Sequence, residues 1–354
     1  MPCLHSAQIV VKMAEQLNEM HLVGKTVSRN CLVDLCRFLF MTVVCLWHFK
    51  QYLHLGWLAK GYIVVDFFFI LSGFLIHRSF QKHNYPVFAY IWKRIKHFFP
   101  EYFFALITTE IITIQSLLRN STDLSLRNVI YSFIAESLFV QSIGLPNIHA
   151  VNYPCWYLSV LIFGGGIVYA LLKVLPEKSV VCSFAVVSFS LYALLLYPEG
   201  SLERWNGFYP MVRGTAGLSA GIAISNLVQK ASLSSIKKCR IALMLTSFAL
   251  ASADVIGDIF PDSLTVLIWC VLVFTLFIED PQPFSSTSSK VIQKLGEISY
   301  EMLLLHVSVL YAVVSICGLL NVCDGITLTV FLVATILASY LTNSIFNKLN
   351  LNKK

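Results

Sequence analysis

Residues 31–49 read CLVDLCRFLFMTVVCLWHF, an apolar stretch long enough to cross a bilayer that nevertheless carries Arg37 and His48. Hydrocarbon charges heavily for an ionisable side chain, so such a residue inside a span marks a functional position by default. The two lie eleven residues apart. At about 100° per residue they leave one helical face within about 20° of each other, roughly 16 Å apart along the axis. That face presents a fixed cation at one depth and a titratable imidazole at another.

The rest of the chain agrees with a membrane setting. Of 354 residues, 57% are hydrophobic and 13% charged, and the mean hydropathy is +0.72. Apolar stretches run near 32–54, 61–77, 98–118, 156–175, 179–197, 208–229, 239–256, 263–279, 298–319 and 325–346. Each suffices for a hydrocarbon core of about 30 Å. The expected fold is an all-α, polytopic integral membrane bundle of about ten transmembrane helices with no appended soluble domain. Residues 1–30 read as a cytoplasmic amphipathic segment, 31–347 as the membrane domain and 348–354 as a basic cytoplasmic tail. Segment 128–145 reads as re-entrant or interfacial, because counting it as a crossing would put Lys230, Lys237, Lys238 and Arg240 outside.

With that topology both termini face the cytoplasm, Lys and Arg clusters lie inside, and Asp254, Asp258, Asp262 and Asp324 lie outside. The net charge of +7 is then a topology signal and not a nucleic-acid footprint. Ten cysteines without a CxxC or Cys/His pattern suggest apolar packing, with no metal or redox site expected.

Asp66, in GYIVVDFFFILSGFLIHRSF (61–80), lies about as deep from one side as His48 does from the other. A carboxylate accepting from one imidazole nitrogen would leave the other as a base, the arrangement that proton removal from an alcohol needs. The bland alternative is a polar pair that only stitches two helices.

Arg37 and His48, VDFFFILSGFLI at 65–76 and YIWKRIKHFFPEYF at 90–103 together resemble the start of acyltransferase family 3, bacterial membrane proteins that O-acylate extracytoplasmic sugars. WYLSVLIFGGGIVYALL (156–172), RGTAGLSAG (213–221) and LGEISYEMLLLH (295–306) resemble later family segments in the same order. The resemblance implies a ten-helix inner (plasma) membrane enzyme. It would carry no bound cofactor, and would pass an acyl group, usually acetyl, from cytoplasmic acyl-CoA (acetyl-CoA) to a sugar or polysaccharide hydroxyl. It places the critical positions on Arg37, His48 and the segment Ser72, Gly73 and Phe74, and it singles out Trp156, Tyr300 and His306.

Lys93, Arg94 and Lys96 lie in a basic, aromatic stretch suited to the phosphates of the donor, although positive-inside anchoring explains them equally well. Many family members carry a glutamate about five residues after the tryptophan matched by Trp156, where this chain has Leu161. Asp66 or Glu136 would then have to supply a carboxylate, Glu136 either from the outer cavity or as a solvated interfacial group. Arg213, beside Gly214, Gly217 and Gly221, must face a wet cavity or an internal carboxylate. Ser72 lacks a nucleophile elbow, and SGF fits close backbone packing.

The mechanism expected is His48, aided by Asp66, as general base or alternatively as a transient acyl carrier, with Arg37 orienting the donor or stabilising charge on the thioester oxygen. The rival reading is a secondary transporter or lipid-linked sugar flippase, and a third is a scaffold within polysaccharide-synthesis machinery.

Overall fold

The computed structural model describes residues 30–120, 126–145, 150–204, 207–230, 234–278 and 286–351. The amphipathic reading of 1–30 falls outside the described residues except for Asn30, and the basic tail is described only as far as Leu351.

Among the described residues the fold is eleven α-helices and no strand. They are α1 (Cys31–Tyr52), α2 (Val64–Lys82), α3 (Val87–Asn120), α4 (Leu126–Ser137), α5 (Trp156–Val174), α6 (Val180–Leu196), α7 (Tyr209–Lys230), α8 (Ser234–Gly257), α9 (Asp262–Phe277), α10 (Ser286–Leu319) and α11 (Asp324–Leu351). Seven of them, α1, α2, α5, α6, α8, α10 and α11, are long and apolar enough to cross a membrane. The remaining three expected crossings are helical as well, within α3, in α7 and in the shorter α9. With 12 residues, α4 reaches only about 18 Å. Helix α10 starts at Ser286, ahead of the apolar stretch 298–319.

Local signals set where α1 starts. Asn30 caps it by accepting from the Leu32 and Val33 amides at 3.0 and 3.3 Å, with Asp34 in the first turn and Lys50 in the last to complement the helix dipole. The Asn30 amide nitrogen also donates to the Leu276 carbonyl at 2.8 Å, tying that cap to α9. Before α5, Pro154 occupies the first turn of a short 3-10 helix, Tyr153–Cys155, where a missing N–H costs nothing.

Two apolar cores share α2. Phe67, Ile70 and Phe74 face α1, α7 and α9, while Phe69 and Ile76 face α3 and α5. The most intimate helix pair is α2 with α7. Here backbones meet directly: a Cβ on Gly73 would collide with the Leu218 carbonyl, and one on Gly221 with the Ile70 carbonyl. Small residues in membrane helices permit this approach, which replaces hydrophobic driving force by van der Waals contact. Gly221→Ala is therefore expected to destabilise the bundle by about 1–3 kcal/mol or more, because backbone cannot yield as a side chain can. Gly318→Ala, at a position with nothing within 4 Å, is its control and should lose nothing; thermal unfolding in nanodiscs measures both.

By contrast α1 packs chiefly on α10 and touches α2 little. The gap between α1 and α2 is where the site lies.

Candidate active site

A cavity of about 850 Å³ opens between α1, α2, α3, α5 and α10. From α1 it is lined by Arg37, Met41, Val44, His48 and Gln51, and from α2 by Val65, Phe68, Ser72 and Leu75. Both sets follow alternating four- and three-residue steps, one stripe of each helix. The α1 stripe from Arg37 to Gln51 is about 21 Å long, so a single cavity connects the depth of Arg37 with that of His48. Its volume falls within the ordinary range for ligand pockets, about 300–1,000 Å³.

His48 is half-buried on the cavity wall. Its Nδ1 lies 3.2 Å from the Tyr153 hydroxyl, with the two rings edge to face at 5.0 Å. His306 stands behind it, ring centroids 5.1 Å apart and planes tilted by 32°. The Nδ1 of His306 donates to the Met302 and Leu303 carbonyls, 2.8 and 3.0 Å away, which fixes its tautomer and leaves Nε2 with a bare lone pair. That Nε2 is buried without a hydrogen-bond partner among the described residues.

At the other end Arg37 and Arg94 line the cavity with His97 and Tyr300. Asp34 lies 3.7 Å from the Arg37 guanidinium. A mostly apolar chamber with two guanidinium groups at one end and an oriented imidazole toward the other can hold an anionic ligand and move a proton.

A family model described as an acyltransferase domain, of acyltransferase family 3, matches residues 32–344, nearly the whole chain. The chain belongs to acyltransferase family 3. Searches among curated proteins and solved structures found no significant match.

Within this membrane acyltransferase, several expected roles change. Asp66 does not pair with His48. Its carboxylate is buried and held by Arg213, whose Nη2 lies 2.6 Å from Oδ2 and whose Nε lies 3.1 Å away, while the Tyr192 hydroxyl donates to Oδ1 at 2.9 Å. A guanidinium fork matches a carboxylate in two bonds where an imidazole offers one, so the buried arginine claims it. Arg213 is correspondingly the partner of an internal carboxylate and not a cavity residue; it also donates to the Leu202 and Tyr62 carbonyls, both at 2.9 Å. Tyr153 holds the place beside His48 that Asp66 was expected to fill.

Glu136 is neither in the cavity nor solvated. It is buried and accepts the Val151 and Asn152 amides at 3.0 Å each, which anchors the segment that presents Tyr153. Of the SGF segment only Ser72 reaches the cavity, where its hydroxyl sits 3.0 Å from that of Tyr157. Gly73 packs on α7, and Phe74 stacks on Phe277 with centroids 3.9 Å apart.

Of the three basic residues on α3, Arg94 alone lines the cavity; Lys93 lies over the Tyr85 ring and Lys96 over the Trp92 ring. Trp156 lines the cavity, and so does Tyr300, whose hydroxyl donates to the Phe98 carbonyl at 3.2 Å. Leu161 lines it too, so the usual glutamate there would have pointed inward. Neither Asp66 nor Glu136 replaces it.

The cavity residues that sequence reasoning missed include Trp47, Tyr62, His97, Tyr153, Tyr157 and Glu203. Trp47 and Tyr153 flank motifs already singled out and could have been found by adjacency; Glu203 sits in a loop with no periodic signal. Beside it, Lys60 is gripped by Asp258, Asp262 and Asp254 at 2.6, 3.3 and 3.8 Å. Burial alone would lower the Lys60 pKa, but the three carboxylates outweigh it and hold it above the usual lysine value.

Proposed function

We propose that this acyltransferase transfers an acetyl group from acetyl-CoA, bound toward Arg37 and Arg94, to a sugar hydroxyl presented at His48. The observation that carries this reading is the single cavity that runs along α1 from Arg37 to His48. An extended pantetheine arm suits that path, with the donor's phosphates at the guanidinium end and its thioester at the imidazole end. The separation of about 16 Å along the helix favours a role for Arg37 at the donor's anionic part over one at the reacting carbonyl.

At the imidazole end His48 acts as general base. With its Nδ1–H donated to the Tyr153 oxygen, the bare Nε2 takes the acceptor's hydroxyl proton. The freed oxygen attacks the thioester carbonyl carbon, the carbon–sulfur bond breaks, and the proton on His48 passes to the departing thiolate. The ester and free coenzyme A are the products.

The test is purified full-length protein in nanodiscs with labelled acetyl-CoA and a sugar acceptor, scored for label in the sugar ester and for free thiol. Ester and thiol appearing together support the reading. Sugar movement across the membrane without either would make the protein a transporter. In the same assay Arg94→Gln is expected to raise the donor KM roughly 10- to 100-fold, the worth of one charge-assisted hydrogen bond of about 1.5–3 kcal/mol. Lys96→Gln, off the cavity, should leave it within twofold of about 1. Equal effects of the two would remove the donor from the Arg94 end.

A further inference from the structure

The two ends of the cavity differ in charge. Beyond His48, the wall is formed by Trp47, Tyr62, Gln51 and Glu203. The Trp47 and Tyr62 rings meet edge to face at 5.7 Å, and Glu203 is the one acidic side chain lining the cavity among the described residues. Its backbone is well held: the preceding Leu202 amide donates to Asp262 at 2.7 Å, and Asp262 also accepts from the Tyr62 hydroxyl at 3.1 Å.

The Glu203 carboxylate itself is exposed and makes no hydrogen bond or ion pair with the described residues. The cations around it make their close contacts elsewhere, while the Arg213 and Lys50 charges still act on it at longer range. Arg213 is bound to Asp66 and Lys60 to its three aspartates; Arg204 lies 3.0 Å from Glu199; Lys50 donates to the Leu58 carbonyl at 3.0 Å and sits over the Trp47 ring. Acidic groups thus outnumber basic ones at this end, whereas two arginines line the other.

We propose that the Glu203 end is the acceptor subsite, and that it selects sugars that are neutral or carry an amino group against sugars that carry a carboxylate. The proposal rests on the acetyl-transfer reading above and adds the chemical class of the acceptor. Trp47 and Tyr62 give that end an aromatic wall, 5% and 6% exposed, and a carboxylate with no hydrogen-bond partner among the described residues accepts from hydroxyl or ammonium donors. A uronate brought to the same place meets like charge in a partly desolvated mouth, a repulsive element that gives specificity without any added contact.

The experiment compares methyl glucoside, methyl glucosaminide and methyl glucuronide as acceptors for the full-length protein in nanodiscs with acetyl-CoA. Wild type is expected to show kcat/KM at least about tenfold higher on the first two than on the glucuronide. Glu203→Lys is expected to shift the glucuronide-to-glucosaminide ratio upward by about tenfold or more, a gain that misfolding cannot imitate. Should that variant be inactive, Glu203→Gln must at least narrow the discrimination. Equal use of all three sugars by wild type, or an unchanged preference in the variants, overturns the acceptor class while leaving acetyl transfer standing. No transfer to any of the three overturns the transfer reading itself, and the acceptor class with it.

Discussion

His48→Ala is expected to lower acyl transfer by about 10²–10⁴-fold, the usual worth of a positioned general base. The protein should remain folded, since His48 is half-buried on a cavity wall and its polar contact among the described residues is the Tyr153 hydroxyl. Donor KM should change little, because the groups assigned to the donor's anionic part lie at the far end of the α1 stripe. Tyr153→Phe makes the companion measurement. It keeps the ring that packs edge to face on His48 and removes the hydroxyl that contacts Nδ1, so it should lower kcat by less than His48→Ala without moving donor KM. If His48→Ala retained activity within about tenfold of wild type, the imidazole would not be the base. The cavity would then need another proton acceptor, for which Glu203 is the one carboxylate on its wall among the described residues.

The contrast between His48 and Asp66 shows what the sequence made legible. Depth along a helix follows from residue count, and Arg37 and His48 do lie on one stripe facing one cavity. Azimuth is different. In a soluble protein the polar face of a helix reveals its buried face, but a bundle surrounded by lipid is apolar on both, so the periodic signal is weak. Asp66 follows Val65 on α2, and the cavity stripe runs through Val65, Phe68, Ser72 and Leu75. Being one residue off turns a side chain by about 100°. Asp66 therefore points at α6 and α7, where Tyr192 and Arg213 wait for it.

The same offset separates Ser72 from Gly73 and Arg94 from Lys93, while Phe74, two residues on from Ser72, is turned by about 200°. It also explains why Arg94, His97 and Phe98, at helical spacing, share the cavity wall while Lys96 does not. Glu136 failed for another reason. The two backbone amides that capture it belong to the irregular segment before α5, and no pattern in sequence specifies which carboxylate an unpaired loop amide will find.

Asp66→Ala is expected to destabilise the protein by about 3–5 kcal/mol, because it strands the Arg213 guanidinium, 1% exposed, without the carboxylate it contacts. The Tyr192 hydroxyl would lose its acceptor as well. A matched apolar replacement of both partners, Asp66→Leu with Arg213→Met, removes the stranded charge and should recover part of the loss. Recovery should be incomplete, since Arg213 also satisfies the Leu202 and Tyr62 carbonyls, which the double variant leaves unpaired at about 1–3 kcal/mol each. Those carbonyls flank Glu203 and the Tyr62 ring, so the loss of Arg213 should loosen the cavity mouth even where the bundle holds. Thermal unfolding in nanodiscs, alongside acyl transfer, separates this account from the one in which Asp66 orients His48. A carboxylate acting on the imidazole would give an Asp66→Ala protein of wild-type stability and much reduced kcat. A carboxylate that neutralises Arg213 gives a protein whose melting temperature falls first, and whose remaining folded fraction still transfers acyl groups.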